Sequence, residues 1–273
     1  MIYKERERGI PARTTDVVVA GSGPAGIAAA LGAARNGVKV ILVEQLGDLG
    51  GIATSGMMSH WTGSVEDSIY EEILEKSAER NEGKNKGVKT ITIDTEKLKT
   101  LYLELMEEAG VEVLLYTFVS DVIVENGKVK GIIIENKTGR SAVMAKVTID
   151  ATGDGDAAYK AGAEYILGRE EDGKMQPCTI MFKVGGVDYD RAVFPNSFET
   201  LVPTEKGELQ ALGRELIGAP AGHVLLYKST LPGVVTCNMT NCTDIAVSYT
   251  HLYARYGKDR YPARRILQPA ARP

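Results

Sequence analysis

The 273-residue chain lacks several features that mark whole classes of protein. Its three cysteines, Cys178, Cys237 and Cys242, form no CxxC pair and no metal-like cluster, so we expect no metal centre built from this chain alone. No apolar run approaches the roughly 18 residues of a membrane span, and the first residues contain no apolar core like that of a secretory signal. A net charge of −4 favours neither nucleic-acid nor anionic-membrane binding. These absences together predict a cytoplasmic protein with reduced thiols.

The composition that remains is typical of a globular protein. With 44% hydrophobic and 25% charged residues, a chain of this length can bury the core of one large domain or two modest ones. Cys237 and Cys242 are close enough in sequence to form a redox pair in principle, but ordinary thiols are the simpler interpretation.

A complete β–α–β unit opens the chain after a polar lead-in over residues 1–14. Residues 16–20 are apolar and largely β-branched after the initial Asp16, which predicts a buried parallel strand. An alanine-rich helix follows over 27–35 and ends at Asn36-Gly37, and a second strand covers 39–44. Between the first strand and the helix stands the G-x-G-x-x-G motif of residues 21–26.

The three glycines of this motif satisfy the demands of a dinucleotide site. Gly21 allows a tight turn, Gly23 lets the backbone approach a pyrophosphate, and Gly26 lets the helix pack closely on the strand. Pro24 suits the first helical turn, whose free N–H groups and partial positive charge favour phosphates.

Glu44, at the end of the second strand, is the acid that such a unit places on the adenosine ribose. Its carboxylate can accept both ribose hydroxyls and would repel a 2′-phosphate. The alternative is a glycine-rich turn in an α/β protein with an incidental glutamate.

The later residues predict further elements. Helices are expected over 67–82 and 94–109, with Asp94 as N-cap and Gly110 as C-cap, followed by a strand over 111–115. Asn126-Gly127 predicts a hairpin between 119–125 and 128–135, and a third strand follows over 141–150. Beyond these lie predicted strands over 179–184, 223–228 and 233–238 and a helix over 209–217.

These elements predict an α/β fold in two parts. The first part is a Rossmann-like domain with a parallel sheet and an inserted antiparallel β-meander, over residues 15–163. The second, over 164–246, is part of a mixed α+β domain that would hold the substrate.

Three motifs give the chain a resemblance to a known family: Gly21-Ser-Gly-Pro-Ala-Gly26, Leu49-Gly-Gly-Ile-Ala-Thr-Ser-Gly56 and Ile149-Asp-Ala-Thr-Gly-Asp-Gly-Asp156. Over about residues 14–246 it resembles the FAD-dependent oxidoreductases of the two-dinucleotide-binding-fold type. More narrowly, it is similar to the branch related to the flavin subunit of heterodisulfide reductases.

The resemblance implies a set of contacts to FAD. The glycine pair at 50–51 would run beside the diphosphate and flavin, with Thr54 and Ser55 as hydrogen-bond donors, unless this stretch is a flexible surface loop. The segment 151–154 would close over the adenine side, where a simple helix-capping turn is a compatible alternative. The expected cofactor-binding residues are Gly21, Gly23, Pro24, Ala25, Gly26, Glu44, Gln45, Gly50, Gly51, Thr54, Val119, Ala151, Thr152, Gly153 and Asp154.

The function implied is an FAD-dependent oxidoreductase that moves hydride or electrons between flavin and a small-molecule substrate. No catalytic acid or base is assigned. His223 could donate a proton, and Arg169 and Arg191 could bind a carboxylate, but ordinary packing or surface positions are the simpler interpretation for all three. His60-Trp61 is not interpreted as a site of covalent flavin attachment.

Three alternatives remain open. One is a flavin-carrying electron-transfer subunit, in which an iron–sulfur cluster would lie on missing sequence or on a redox partner protein. Another is a catalytically incomplete nucleotide-binding fragment, and a third is a dehydrogenase that uses only NAD.

The end of the chain is expected to be non-native. Val247-Ser-Tyr-Thr-His-Leu252 is the translation of one reading frame of a common sequencing-library adapter, and an Arg/Pro/Ala-rich stretch follows it to residue 273. In relatives, the stretch that would follow Ala246 re-enters the FAD domain and completes the flavin pocket. We therefore expect the chain as written to bind FAD weakly or to be poorly soluble.

Overall fold

The computed structural model describes residues 9–58, 61, 68–80, 93–168, 171–195, 197, 200–218 and 222–242. The expected tail over 247–273, His60, Arg169 and most of the lead-in lie outside these residues. The described chain contains no helix that is long and apolar enough to cross a membrane.

The opening β–α–β unit forms as the sequence predicts. Strand β1 covers Ala12–Ala20, helix α1 covers Pro24–Arg35 and strand β2 covers Val40–Val43. All four residues of β2 are buried, as expected for a strand covered on both faces. The helix ends at Asn36, and Gly37 follows with a φ of +82°.

Two helices and a strand extend this unit. Helix α2 spans Ser68–Arg80, α3 spans Thr95–Glu108 and β3 spans Glu112–Leu114. Asp94 is the N-cap of α3, since its carboxylate accepts hydrogen bonds from the backbone N–H groups of the second and third helical residues. Glu72 on α2 pairs with Arg35 at the end of α1, with a closest N–O distance of 2.6 Å.

The meander supplies the other half of the main sheet. Strands β4 (Phe118–Glu125), β5 (Lys128–Asn136) and β6 (Gly139–Asp150) are joined by tight turns. In the first of these turns, Asn126 and Gly127 have φ values of +50° and +71°, which confirms the two-residue hairpin.

The six strands form one sheet in the order β3-β2-β1-β6-β5-β4. Strand β1 pairs in parallel with both β2 and β6, whereas β4, β5 and β6 pair antiparallel. The register places Ala20 opposite both Val43 and Asp150, so the carboxyl ends of three neighbouring parallel strands are level. The expected parallel unit with an antiparallel meander is confirmed, and loops from these three strand ends meet at one edge.

Alternate residues of β1 enter two cores on opposite faces of the sheet. Val17 and Val19 pack in a cluster with Ile27 of α1 and Leu101 of α3. Val18 faces the other side, in a cluster with residues of β2 and of the meander. Burial on both faces explains the continuous apolar run from 17 to 20.

The remaining elements are short. They are a 3₁₀ turn at Gly51–Ala53, helix α4 (Asp156–Lys160), strands β7 (Phe182–Val184), β8 (Pro203–Thr204) and β9 (Gly207–Glu208), helix α5 (Leu209–Ile217), and strands β10 (Leu226–Lys228) and β11 (Val235–Cys237). Helix α5 coincides with its predicted range, while β7, β10 and β11 are shorter than expected.

The chain divides into two compact units. One consists of Met1–Glu164 with Tyr227–Val234, and the other of Tyr165–Leu226 with Val235–Pro273. All the expected cofactor-binding residues belong to the first unit. The assignment of 15–163 to the cofactor and 164–246 to a substrate stays a prediction.

Candidate functional site

The glycine loop after β1 is packed so tightly that two of its glycines accept no side chain. Gly21 has a φ of +92°, and a Cβ there would lie 2.7 Å from the carbonyl carbon of Ala151 and 2.9 Å from the Cα of Thr152. A Cβ on Gly26 would overlap the carbonyl oxygen of Gly21. Gly21 and Gly26 therefore serve the turn and the close approach of helix and strand, as the motif predicts.

Gly23 differs from both because its surroundings are open. It is the N-cap of α1 with an ordinary φ of −59°, and a Cβ there would meet nothing within 4 Å. Among the described residues no side chain caps this helix, and the next two residues, Pro24 and Ala25, are exposed. The start of the helix thus lies beside open space, an arrangement that suits a phosphate group.

Glu44 lies directly after β2 and is held by three hydrogen bonds. Its Oε2 accepts from the backbone N–H of Ser22 at 2.9 Å and from the Ser22 hydroxyl at 2.6 Å. Its Oε1 accepts from the N–H of Leu46 at 2.8 Å. The residue is 6% exposed, and the half-buried Gln45 follows it. The carboxylate is therefore fixed beside the glycine loop.

Ser22 is a site residue that the sequence analysis missed. Position x of G-x-G tolerates many residues, so the motif gives no signal there. The serine is fully buried, and its carbonyl oxygen also accepts the N–H of Gly50 at 2.9 Å. Ser22 thus connects the glycine loop both to Glu44 and to the second glycine-rich loop.

The glycine pair lies against the glycine loop. Gly50 and Gly51 have φ values of +106° and +54°, in the region that favours glycine. A Cβ on Gly51 would lie 3.1 Å from the Cα of Gly23. A Cβ on Gly50 would lie 2.7 Å from a ring carbon of the buried Tyr102. The absence of side chains lets this loop lie next to the open position in front of α1.

The two hydroxyl residues of this loop have partners within it. Thr54 is 1% exposed, and its hydroxyl donates to the carbonyl of Leu49 at 2.6 Å. The Ser55 hydroxyl lies 3.4 Å from a carboxylate oxygen of Asp48, a long contact. Thr54 therefore shapes the loop, and its direct contact with a cofactor stays a prediction.

The segment 151–154, directly after β6, forms a third wall of the site beside the glycine loop and the glycine pair. The N–H of Ala151 donates to the carbonyl of Ala20 at 2.8 Å, which ties this segment to the end of β1. Asp150 organises it, since its carboxylate accepts from the Thr152 N–H at 3.0 Å, the Thr152 hydroxyl at 2.7 Å and the Ala158 N–H at 2.7 Å. The sequence pattern gives no signal for Asp150, because its role depends on bonds that only the folded turn brings together.

Two of the expected residues lie exposed at the tip of this wall. Gly153 has a φ of +88°, and both it and Asp154 are exposed. Asp156 begins α4, so the segment also caps a short helix, as the alternative interpretation proposed.

Val119 lies in β4, and the residues just before this strand are hydrogen-bonded to the segment that contains Glu44. The backbone N–H of Thr117 donates to the carbonyl of Glu44 at 2.9 Å, and that of Tyr116 donates to Leu46 at 3.0 Å. Val119 itself is buried and pairs with Ile134 of β5. The chain thus passes beside the acidic residue just before it enters β4.

Two further candidate residues lie in the second unit. Arg191 and His223 belong to the second unit, and Arg191 is exposed. Within the described residues, no group of three or more His, Cys, Asp or Glu side chains is arranged to hold a metal ion.

The family described as FAD dependent oxidoreductase matches the chain over residues 16–266. The match contains every expected cofactor-binding residue. It also enters the segment beyond Val247, whose non-native origin stays a prediction.

Curated relatives include thiamine thiazole synthases from archaea. The enzyme of Methanococcus aeolicus is 33% identical over 194 residues, which cover 67% of this chain and 72% of the relative. That of Methanococcus maripaludis is 28% identical over 163 residues, 57% of this chain and 60% of the relative. The chain therefore spans about three fifths of the length of the latter protein.

A solved structure supports the same fold. The geranylgeranyl bacteriochlorophyll reductase-like protein of Thermoplasma acidophilum matches with a TM-score of 0.55 and 20% identity, covering 84% of this chain and 56% of that one. At this identity the likeness shows the fold alone, and it confirms the expected Rossmann-like architecture. The narrower likeness to the heterodisulfide reductase branch stays a prediction. The profile match over most of the sequence shows that the chain belongs to the FAD dependent oxidoreductase family.

Proposed function

We propose that this chain is part of an FAD-dependent oxidoreductase that transfers hydride or electrons between flavin and a small-molecule substrate. The observation that carries the proposal is the open position at Gly23, in front of an uncapped helix and beside the level ends of three parallel strands. In open α/β sheets, ligands bind outside the carboxyl ends of the strands.

The residues around that position fit FAD. The loop 21–26 would hold the pyrophosphate through backbone N–H groups of the first turn of α1. Gly50 and Gly51 would lie alongside the diphosphate, while Val119 and the segment 151–154 would enclose the adenine side. When bound, the flavin supplies the hydride and electron transfer, and the protein contributes binding and orientation.

The hydrogen bonds of Glu44 refine its role toward the ribose. A carboxylate has about four acceptor positions, and Ser22 and Leu46 occupy three of them. One position is left for a ribose hydroxyl. A bond to the second hydroxyl would require the Ser22 hydroxyl to turn away, so we infer that Glu44 binds one hydroxyl more strongly than the other.

The identity of the substrate, a protein redox partner and a cytoplasmic location all stay predictions. A flavin-carrying electron-transfer subunit and a catalytically incomplete fragment are the two competing functions. No described residue is assigned as acid or base for the substrate.

A titration of the purified 273-residue chain with FAD, NAD and NADP tests the cofactor, with ligand fluorescence or calorimetry as the measurement. We expect weak but saturable FAD binding that is still tighter than binding of either nicotinamide dinucleotide, with NADP weakest because Glu44 repels its 2′-phosphate. Tighter binding of NAD, or no saturable binding of FAD, would overturn the proposal.

The redox step is tested separately on the FAD-loaded protein. Under anaerobic conditions, a chemical reductant should bleach the flavin absorbance, and an added electron acceptor should restore it. A bound flavin that no donor reduces would favour the catalytically incomplete fragment instead.

A further inference from the structure

Two cysteines of the second unit lie directly opposite each other. Cys178 and Cys242 form an antiparallel bridge. The N–H of Cys178 donates to the carbonyl of Cys242 at 2.9 Å, and the N–H of Cys242 donates to the carbonyl of Cys178 at 2.7 Å. Reciprocal bonds of this kind place the facing Cα atoms about 5.5 Å apart. That spacing falls inside the roughly 4.4–6.8 Å that a disulfide bridges.

The facing side chains need only a small movement to react. In an antiparallel pair, opposed Cβ atoms share one face and are about 4.5–5.5 Å apart, whereas a disulfide holds them at about 3.5–4.5 Å. A hydrogen-bonded pair such as this one lies toward the long end of the first range, so the two Cβ atoms must approach each other by roughly 1–2 Å.

A second set of bonds holds the segments in this alignment. The hydroxyl of Thr240 donates to the carbonyl of Ile180 at 2.8 Å and accepts from the N–H of Ile180 at 3.0 Å. It also lies 3.1 Å from the Thr179 hydroxyl. These contacts fix the register two residues from the cysteine pair, which keeps the two cysteines opposite each other.

The third cysteine has a different environment. Cys237 is buried on β11, where it pairs with Phe182 of β7. Burial raises the pKa of its thiol, which lowers its thiolate fraction. Cys242, in contrast, is exposed, and Cys178 is partly exposed. The pair that the sequence spacing suggested, Cys237 with Cys242, is therefore not the pair that the strands bring face to face.

We propose that Cys178 and Cys242 are a redox modification site that forms a reversible disulfide by exchange with a low-molecular-weight disulfide. The exposed Cys242 thiolate attacks one sulfur of the small disulfide, which forms a mixed disulfide and releases one small thiol. The Cys178 thiolate then attacks the Sγ of Cys242 and releases the second small thiol. The two protein thiols lose two electrons, the small disulfide gains them, and the two thiol protons end on the released thiols.

Oxidised glutathione is the probe for this proposal. The 273-residue protein is incubated with it, quenched in acid, alkylated and cleaved with cyanogen bromide. Cleavage after Met175, Met181 and Met239 places the three cysteines on three different peptides. We expect a peptide pair linked through Cys178 and Cys242, an alkylated Cys237, and recovery of the two linked thiols, and only those two, after reduction with dithiothreitol.

Single serine variants provide the matched controls. C178S and C242S should each abolish the link, whereas C237S should keep it. The linkage map of the unmodified protein stands even if a variant fails to fold. The proposal is overturned if all three thiols are alkylated, if Cys237 is in the link, or if only a mixed disulfide with glutathione accumulates.

Discussion

Replacement of Gly23 by alanine separates cofactor binding from folding. The backbone there has a φ of −59°, which alanine adopts freely, and the new methyl group would meet no protein atom within 4 Å. Alanine is a poorer N-cap than glycine, by up to about 1 kcal/mol. It also restricts the unfolded chain, which stabilises the fold by roughly 0.4–1 kcal/mol. The two effects nearly cancel, so the free energy of unfolding should change by less than about 1 kcal/mol.

The effect on FAD should be much larger. The methyl group would occupy the space in which we place the pyrophosphate, and it would prevent close approach to the first turn of α1. Loss of one hydrogen bond to a charged group costs about 1.5–3 kcal/mol. That corresponds to a Kd that is roughly 10- to 150-fold higher.

The assay combines an FAD titration with a urea denaturation curve. G185A is the matched control, because Gly185 also has open space around its Cα and no left-handed φ. It should leave both quantities unchanged. G26A, unlike G23A, should lower the free energy of unfolding, since its methyl group would overlap the carbonyl oxygen of Gly21. A G23A protein that binds FAD as tightly as the parent would refute the placement of the pyrophosphate.

Three further predictions concern buried or paired groups. S22A removes the 2.6 Å hydrogen bond to the buried Glu44 carboxylate and should lower the free energy of unfolding by about 1.5–3 kcal/mol in a urea curve. S55A, which removes only a long contact, should leave it unchanged, and equal losses would contradict the argument. Y102F should raise thermal stability, since the buried Tyr102 hydroxyl has no hydrogen-bond partner among the residues that the structure describes. Relief of its desolvation should contribute about 1 kcal/mol or more, and a lower Tm would show that the hydroxyl is satisfied. The arginine beside Glu72 lowers the pKa of that carboxyl, so this pair stabilises the fold above about pH 4.5 and its contribution disappears as the pH falls through the lowered value. E72Q should therefore reduce the stability that is lost between neutral and acid pH. The reduction should be less than about 1 kcal/mol, because both side chains of the pair are partly exposed. A stability–pH curve identical to that of the parent would refute this.

Local chemistry in the sequence predicts the first half of the fold well. The G-x-G-x-x-G loop, the Asp94 cap and the Asn126-Gly127 turn each depend on residues within a few positions of one another. Such short-range requirements are expressed directly in the order of residue types. The helices and strands of the β–α–β unit and the meander therefore appear close to their expected positions.

Contacts between distant residues could not be predicted in the same way. The bond from Ser22 to Glu44, the packing of Gly51 on Gly23 and the pairing of Cys178 with Cys242 all depend on the register of segments that are far apart in sequence. For the cysteines, proximity along the chain allowed Cys237 as a partner of Cys242 in principle, with ordinary thiols as the simpler interpretation. The β7–β11 pairing instead places Phe182 opposite Cys237.

The position of β1 between β2 and β6 has a consequence for how the protein folds. One neighbour of β1 is complete by residue 43, but the other is complete only at residue 150, after the whole meander has been made. Pairings of such long sequence separation form slowly, because a large loop must close before the contacts stabilise it. The wall at 151–154 can therefore form only late, and a nucleotide that needs this wall binds the finished sheet rather than an early intermediate. FAD would then stabilise the native state by mass action without accelerating its formation.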